Sequence, residues 1–231
     1  MLSPLDYAIW IVTSLLELGV LYCALRTHSF VRFFPLNFYM LATLISDITR
    51  FAILKHYGFT SHNYVYFYYY SDALLTICLF FALMGLYSQV FKEMGAAAYV
   101  RLGAIIVLVL TAAVCFAMVR NSRHRLLTQF AIELSQNLYF VGAVLTYVLW
   151  AAVKKLRETR TQLIQFTLAL GVYFSAFAAS FALSVLYPKS LYGGLATNAM
   201  ALWLPLAWGY TFLKIPESAR LVTARVTRVA Q

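Results

Sequence analysis

Five ionisable side chains in long apolar segments are the residues of this sequence that could do chemistry. They are Glu17, Asp47, Arg50, Asp72 and Glu133, and they come from four different segments. A charged group inside a hydrocarbon layer is costly, so such residues usually have a partner or a function. With the orientation derived below, all except Glu17 lie in the outer half of the bilayer. We therefore expect these side chains to share one polar cavity.

The chemistry of this set follows from its excess of acids over cations. Arg50 lies three residues after Asp47 and thus on the same helical face, and its fork of donors can hold one further carboxylate. The five residues include no second cation for the remaining acids. A buried acid without a partner either attracts a cation or takes up a proton. The cavity is therefore predicted to bind a cation, protons or a polar ligand.

Neutral polar residues complete the predicted site. Gln136 and Asn137 follow Glu133 by three and four residues, which places each of them on a face shared with it. Asn198 opens the last apolar segment. The predicted ligand-binding set is Glu17, Asp47, Arg50, Asp72, Glu133, Gln136, Asn137 and Asn198. The alternative is purely structural, because polar side chains also link membrane helices at about 0.6–2 kcal/mol per contact.

Seven apolar segments position these residues. They cover about 7–26, 36–55, 66–90, 99–119, 129–153, 163–186 and 196–214. Most reach the ~20 residues that cross a bilayer, and the chain is 63% hydrophobic and only 11% charged. Lipid-exposed backbone must satisfy its own hydrogen bonds, so the segments are predicted to be helices. The predicted fold is an all-α integral membrane protein, a seven-transmembrane-helix bundle over residues 1–215.

Loop charges predict the orientation, because Lys and Arg concentrate on the cytoplasmic side. One set of loops and segment ends carries Arg26, Arg32, Lys92, Arg101, Lys154, Lys155, Arg157, Arg160, Lys214, Arg220, Arg225 and Arg228. The opposite set carries Lys55, Arg120, Arg123, Arg125 and Lys189. The N-terminus is therefore predicted outside and the C-terminus in the cytoplasm, in a bacterial-type inner or plasma membrane. The basic cytoplasmic tail, 216–231, fits either a surface helix or a frayed end.

Three segments have further distinctive features. The third opens with tyrosines and a phenylalanine over 64–70, typical of a membrane–water boundary. In the interior of the fourth, after Arg101, there is no charge and Thr111 is the only polar side chain, so we expect that segment to face lipid. The seventh contains Pro205, which is predicted to kink the helix and to free a carbonyl one turn earlier.

Several function classes are disfavoured. The net charge of +10 is explained by basic loops at a membrane surface, so we expect no nucleic-acid partner. The cysteines Cys23, Cys78 and Cys115 lie in apolar segments at unrelated spacings, which argues against a disulfide framework or a metal site. All four histidines lie outside the predicted membrane-spanning segments, which disfavours haem. Common catalytic and phosphate-binding motifs are absent from the sequence, so we expect neither an enzyme nor a cofactor.

Two function classes remain. The first is a small-molecule or ion-binding membrane protein, a transporter or a sensor, with its polar site in the outer half of the bilayer. The alternative is a non-catalytic accessory subunit of a larger membrane protein complex. The expected partners are the lipid bilayer and either a small polar or ionic ligand or other membrane subunits, including further copies of this chain.

Overall fold

The computed structural model describes residues 4–27, 29–92, 97–120, 126–156, 160–186, 192–216 and 219–220. Within these residues the protein consists of seven helices. They are α1 (Pro4–Arg26), α2 (Phe34–Tyr57), α3 (His62–Val90), α4 (Ala97–Val119), α5 (Leu126–Lys155), α6 (Thr161–Leu186) and α7 (Tyr192–Lys214). Each apolar segment predicted from the sequence lies inside one of these helices. The all-α class and the number of helices are thus confirmed.

Five of the helices are long and apolar enough to cross a membrane. These candidate spans are Tyr7–Arg26, His62–Val90, Ala98–Val119, Leu127–Lys155 and Thr161–Ser184. The chain is therefore a multi-pass membrane protein. In α2 the apolar run is interrupted by Asp47 and Arg50, and in α7 the structure describes side chains only from Ala199 onward. That these two helices also span the membrane, like the orientation, stays a prediction.

Six helices form a closed ring, and α4 lies outside it. Going round the ring, α1 contacts α2, α2 contacts α3, α3 contacts α5, α5 contacts α6, α6 contacts α7, and α7 returns to α1. The helix α4 packs against α3 and α5. Only 17% of its candidate span is buried, compared with 61% for α3. This agrees with the expectation that the fourth segment faces lipid.

A short turn joins α2 to α3 and sets these two helices side by side. Gly58 follows α2 with a φ of 80°, a left-handed conformation that glycine adopts without steric cost. Ser61 precedes α3, and its hydroxyl accepts a hydrogen bond of 3.2 Å from the backbone N–H of Tyr64. That cap satisfies one of the free N–H groups at the start of a helix. The turn therefore ends one helix and begins the next within four residues, 58–61.

An aromatic cluster fills the ring near the end where α2 and α6 begin and α7 ends. This plug consists of Phe33, Phe166, Trp208 and Phe212, each at most 4% exposed. The ring centroids of Phe33 and Phe166 are 4.9 Å apart, and those of Phe166 and Phe212 are 5.1 Å apart. Large, rigid rings at this spacing pack as in a protein core. The plug thus closes the interior of the ring at this end.

Hydrogen bonds between helix ends and the segments next to them lie at the same end of the molecule. Gln89 donates to the carbonyl of Arg32 at 3.1 Å, and Arg160 donates to the carbonyl of Gln89 at 3.0 Å. Burial, together with the positive charges of Arg160 and Arg220, lowers the pKa of Arg32. The two alternatives for the tail over 216–231, a surface helix and a frayed end, concern residues of which 217–218 and 221–231 lie outside the described part of the chain.

Candidate functional site

A polar cavity of about 210 Å³ lies inside the ring, near the middle of the helices that surround it. Four of the predicted site residues line it: Glu17 from α1, Asp47 and Arg50 from α2, and Asp72 from α3. Residues of α5, α6 and α7 complete the wall. The cavity therefore contains three carboxyl groups and one guanidinium.

Glu17 is the most deeply buried of these acids. Its residue is 2% exposed, and its Oε2 atom is buried without a hydrogen-bond partner. Thr13, one turn earlier on α1, also lines the cavity, but its hydroxyl donates to the carbonyl of Ile9 in the same helix, at 2.9 Å. Buried polar groups almost always have a partner, and leaving one without costs about 1–3 kcal/mol. Glu17 therefore belongs to the cavity lining and carries a carboxyl oxygen without a hydrogen-bond partner.

Arg50 is held in place by residues of α2 and α3. Its Nη1 lies 3.8 Å from an Asp47 carboxylate oxygen, and both side chains are 13% exposed. Its Nε and Nη2 donate to the hydroxyl of Ser71 at 2.9 and 2.7 Å. The guanidinium also lies over the ring of Tyr68, 4.7 Å from the centroid. Two of the three nitrogens of the Arg50 guanidinium thus already donate hydrogen bonds.

The other two acids of the cavity, Glu17 and Asp72, differ from Asp47 in their partners. In the part of the chain that the structure describes, neither Glu17 nor Asp72 forms a salt bridge. Asp72 has the hydroxyl of Ser135, on α5, as a neutral neighbour. If all three acids were ionised, two carboxylates would therefore remain without a protein cation.

Three buried tyrosines form a wall of the cavity that the sequence analysis did not single out. Tyr39, Tyr139 and Tyr173 come from α2, α5 and α6 and are 6%, 4% and 6% exposed. The hydroxyls of Tyr39 and Tyr173 are 3.5 Å apart, and Phe177 stacks on Tyr139 at 4.8 Å between centroids. We call these three residues the tyrosine wall. Their position far from helix ends is a usable signal, because a tyrosine that deep must place a hydroxyl among polar neighbours.

The helix α7 adds Ala201, Leu204 and Pro205 to the lining. Pro205 has no N–H, so the carbonyl of Ala201 cannot accept the usual helical hydrogen bond. This is the free carbonyl that the sequence predicts. Trp203 anchors α7 by donating from its indole N–H to the carbonyl of Ala169 on α6, at 3.0 Å.

The remaining predicted site residues lie elsewhere. Glu133, Gln136 and Asn137 do not line this cavity. Asn137 donates to the sulfur of Cys115 on α4 at 3.3 Å. At 3.6 residues per turn, Glu133 and Asn137 are each rotated by more than about 100° from Tyr139, which faces the cavity from the same helix. The side chain of Asn198 lies outside the described residues.

Comparisons with known proteins supply no family. No protein-family model, no curated protein and no solved structure matches this chain. Among the described residues, no three His, Cys, Asp or Glu side chains group closely enough to hold a metal ion. The interpretation of the cavity therefore rests on its own geometry.

Replacing Ser71 with alanine tests the arrangement around Arg50. Without the hydroxyl, two guanidinium donors lose their acceptor, and we expect a loss of stability of about 1–3 kcal/mol. Unfolding of the purified protein in mixed micelles measures this change. Ser184→Ala is the matched control, because the exposed Ser184 hydroxyl donates to the carbonyl of Phe181 in its own helix. The control is expected to stay within about 0.5 kcal/mol of the parent protein, and equal effects of both substitutions would contradict the role assigned to Ser71.

Proposed function

We propose that this multi-pass membrane protein is a solute-binding protein, a transporter or a sensor, which holds a small polar or ionic ligand in the cavity of the six-helix ring. The observation that carries the proposal is Glu17, a residue of the cavity lining that is 2% exposed and whose Oε2 atom has no hydrogen-bond partner. A ligand would supply the missing partner.

A purely structural role accounts for only part of the cluster. Asp47, Arg50 and Ser71 satisfy one another and link α2 to α3, as polar contacts between membrane helices do. Glu17 takes no part in such a link. A buried carboxyl that contributes no contact costs stability, and proteins retain such groups mainly where they have a function. Glu17 therefore favours binding over a structural link.

The surroundings of the cavity also suit a binding site. Tyr39 connects the cavity to the aromatic plug, since its ring lies 6.0 Å from that of Trp208. Arg50 and Tyr68 lie on the side of the cavity opposite the plug. Tyr68 is about one helical turn nearer the start of α3 than Asp72. In the predicted orientation the plug is on the cytoplasmic side, and a ligand would enter from outside. A transporter would then require the plug to move, and a sensor would not.

Native mass spectrometry of the protein, purified from its own membrane in a gentle detergent, tests this proposal. The expected result is the 26.2 kDa chain, alone or as a homo-oligomer, carrying a small-molecule adduct that is lost in the Asp72→Asn variant. Stoichiometric foreign subunits without an adduct would overturn the proposal. That outcome would support the accessory-subunit alternative.

A further inference from the structure

We infer that the ligand of the cavity is a small organic cation, whose ammonium group is held by Glu17 and Asp72 while its apolar body packs against the tyrosine wall. This inference rests on the proposed function and adds the chemical class of the ligand to it. Three independent features of the cavity carry it: its hydrogen-bonding groups, its charge and its shape.

Some hydrogen-bond acceptors of the cavity lining have no donor in the described part of the protein. Glu17 offers an unpartnered carboxylate oxygen, and Ala201 offers the carbonyl that Pro205 leaves free. The hydroxyls of Thr13 and Thr43 are already used, because each donates at 2.9 Å to a carbonyl of its own helix. A cavity with spare acceptors is complemented by a ligand with donors. An ammonium group has three donors and no acceptor.

The charges of the cavity lining also favour a cationic ligand. Of the three acids in the lining, Asp47 alone has a cation, Arg50, within 4 Å. Nε and Nη2 of Arg50 already donate to Ser71, the guanidinium is covered by Tyr68, and the remaining nitrogen, Nη1, lies next to the carboxylate of Asp47. Where Glu17 and Asp72 are ionised, an added anion would face them with like charge, which is unfavourable in a buried site. A cation would neutralise them.

The shape and the remaining lining describe the rest of the ligand. Leu75, Leu204 and Phe177 contribute apolar surface next to the tyrosine wall. Aromatic rings within about 6 Å attract a cation through their faces. The volume of about 210 Å³ exceeds the roughly 150 Å³ of a cavity known to accept benzene. A primary amine with a short aromatic or aliphatic body, of roughly eight non-hydrogen atoms, is therefore a suitable occupant.

Three probes of similar shape separate the effect of charge from that of size: benzylammonium, benzyl alcohol and benzoate. Each is titrated into the purified full-length protein in lipid nanodiscs, with binding followed by calorimetry. Benzylammonium is expected to bind at least about tenfold more tightly than benzyl alcohol, because hydrogen bonds to charged groups are the stronger ones. Benzoate is expected to bind most weakly.

Glu17→Gln then tests the assignment of residues. The substitution keeps the size of the side chain and removes its charge, and it should weaken benzylammonium at least about tenfold while leaving benzyl alcohol nearly unchanged. Glu133→Gln removes an acid that the structure places outside the cavity and should alter neither affinity by more than about twofold.

Each outcome decides a distinct question. If benzyl alcohol or benzoate binds as tightly as benzylammonium, or if Glu17→Gln leaves benzylammonium binding unchanged, the cationic assignment is wrong and the proposed function still stands. If none of the three probes binds, the assignment is equally overturned. The proposed function is then judged by the adduct in native mass spectrometry alone.

Discussion

Replacing Glu17 with glutamine is expected to stabilise the protein by about 1–3 kcal/mol while weakening ligand binding at least about tenfold. The carboxylate is 2% exposed and its Oε2 has no partner, so the folded protein bears the cost of its burial without a compensating bond. A neutral amide of the same size reduces that cost. The gain is measured by unfolding in mixed micelles, and the loss of binding by the disappearance of the native adduct.

The opposite sign is expected for Asp47→Asn, which serves as the matched control. A carboxylate oxygen of Asp47 lies 3.8 Å from Nη1 of Arg50. Neutralising that carboxylate would leave the positive charge of a largely buried guanidinium without its nearest negative partner. We expect a loss of stability of about 1–3 kcal/mol. If both substitutions destabilise the protein equally, Glu17 is a structural residue and the binding interpretation fails.

Gly142→Ala is expected to destabilise the fold. A Cβ atom at this position would overlap the ring of Phe174, and that residue is 0% exposed. The ring cannot move freely, since its centroid lies 6.1 Å from that of Tyr139 and 6.4 Å from that of Tyr173. Overpacking of this kind costs about 1–3 kcal/mol. We expect a lower unfolding midpoint together with weaker ligand binding, because the displaced ring would shift the tyrosine wall.

Gly103→Ala is the control for this substitution. Gly103 lies in α4, and a Cβ atom there would meet nothing within 4 Å. Alanine is a better helix former than glycine, so the control is expected to gain about 0.5–1 kcal/mol. Similar stabilities of the two variants would show that α5 and α6 do not pack as closely as the structure indicates.

The positions and lengths of the helices were determined by the sequence alone. The reason is local: a bilayer requires about 20 apolar residues per span, and helical hydrogen bonds connect residues only four apart. Every predicted segment therefore lies inside one helix, from α1 (Pro4–Arg26) to α7 (Tyr192–Lys214). The cost of a buried charge is equally local, which is why Glu17, Asp47, Arg50 and Asp72 could be predicted to share a cavity without a structure.

Only the tertiary structure decided which faces of the helices meet. These helices are apolar on most of their circumference, so hydropathy does not indicate which side points inward. Packing decides it instead: Phe174 lies against Gly142, which turns Tyr139 toward the cavity and Asn137 toward Cys115 of α4. For the same reason the tyrosine wall, and the position of α4 outside the ring, follow from contacts between residues distant in the chain.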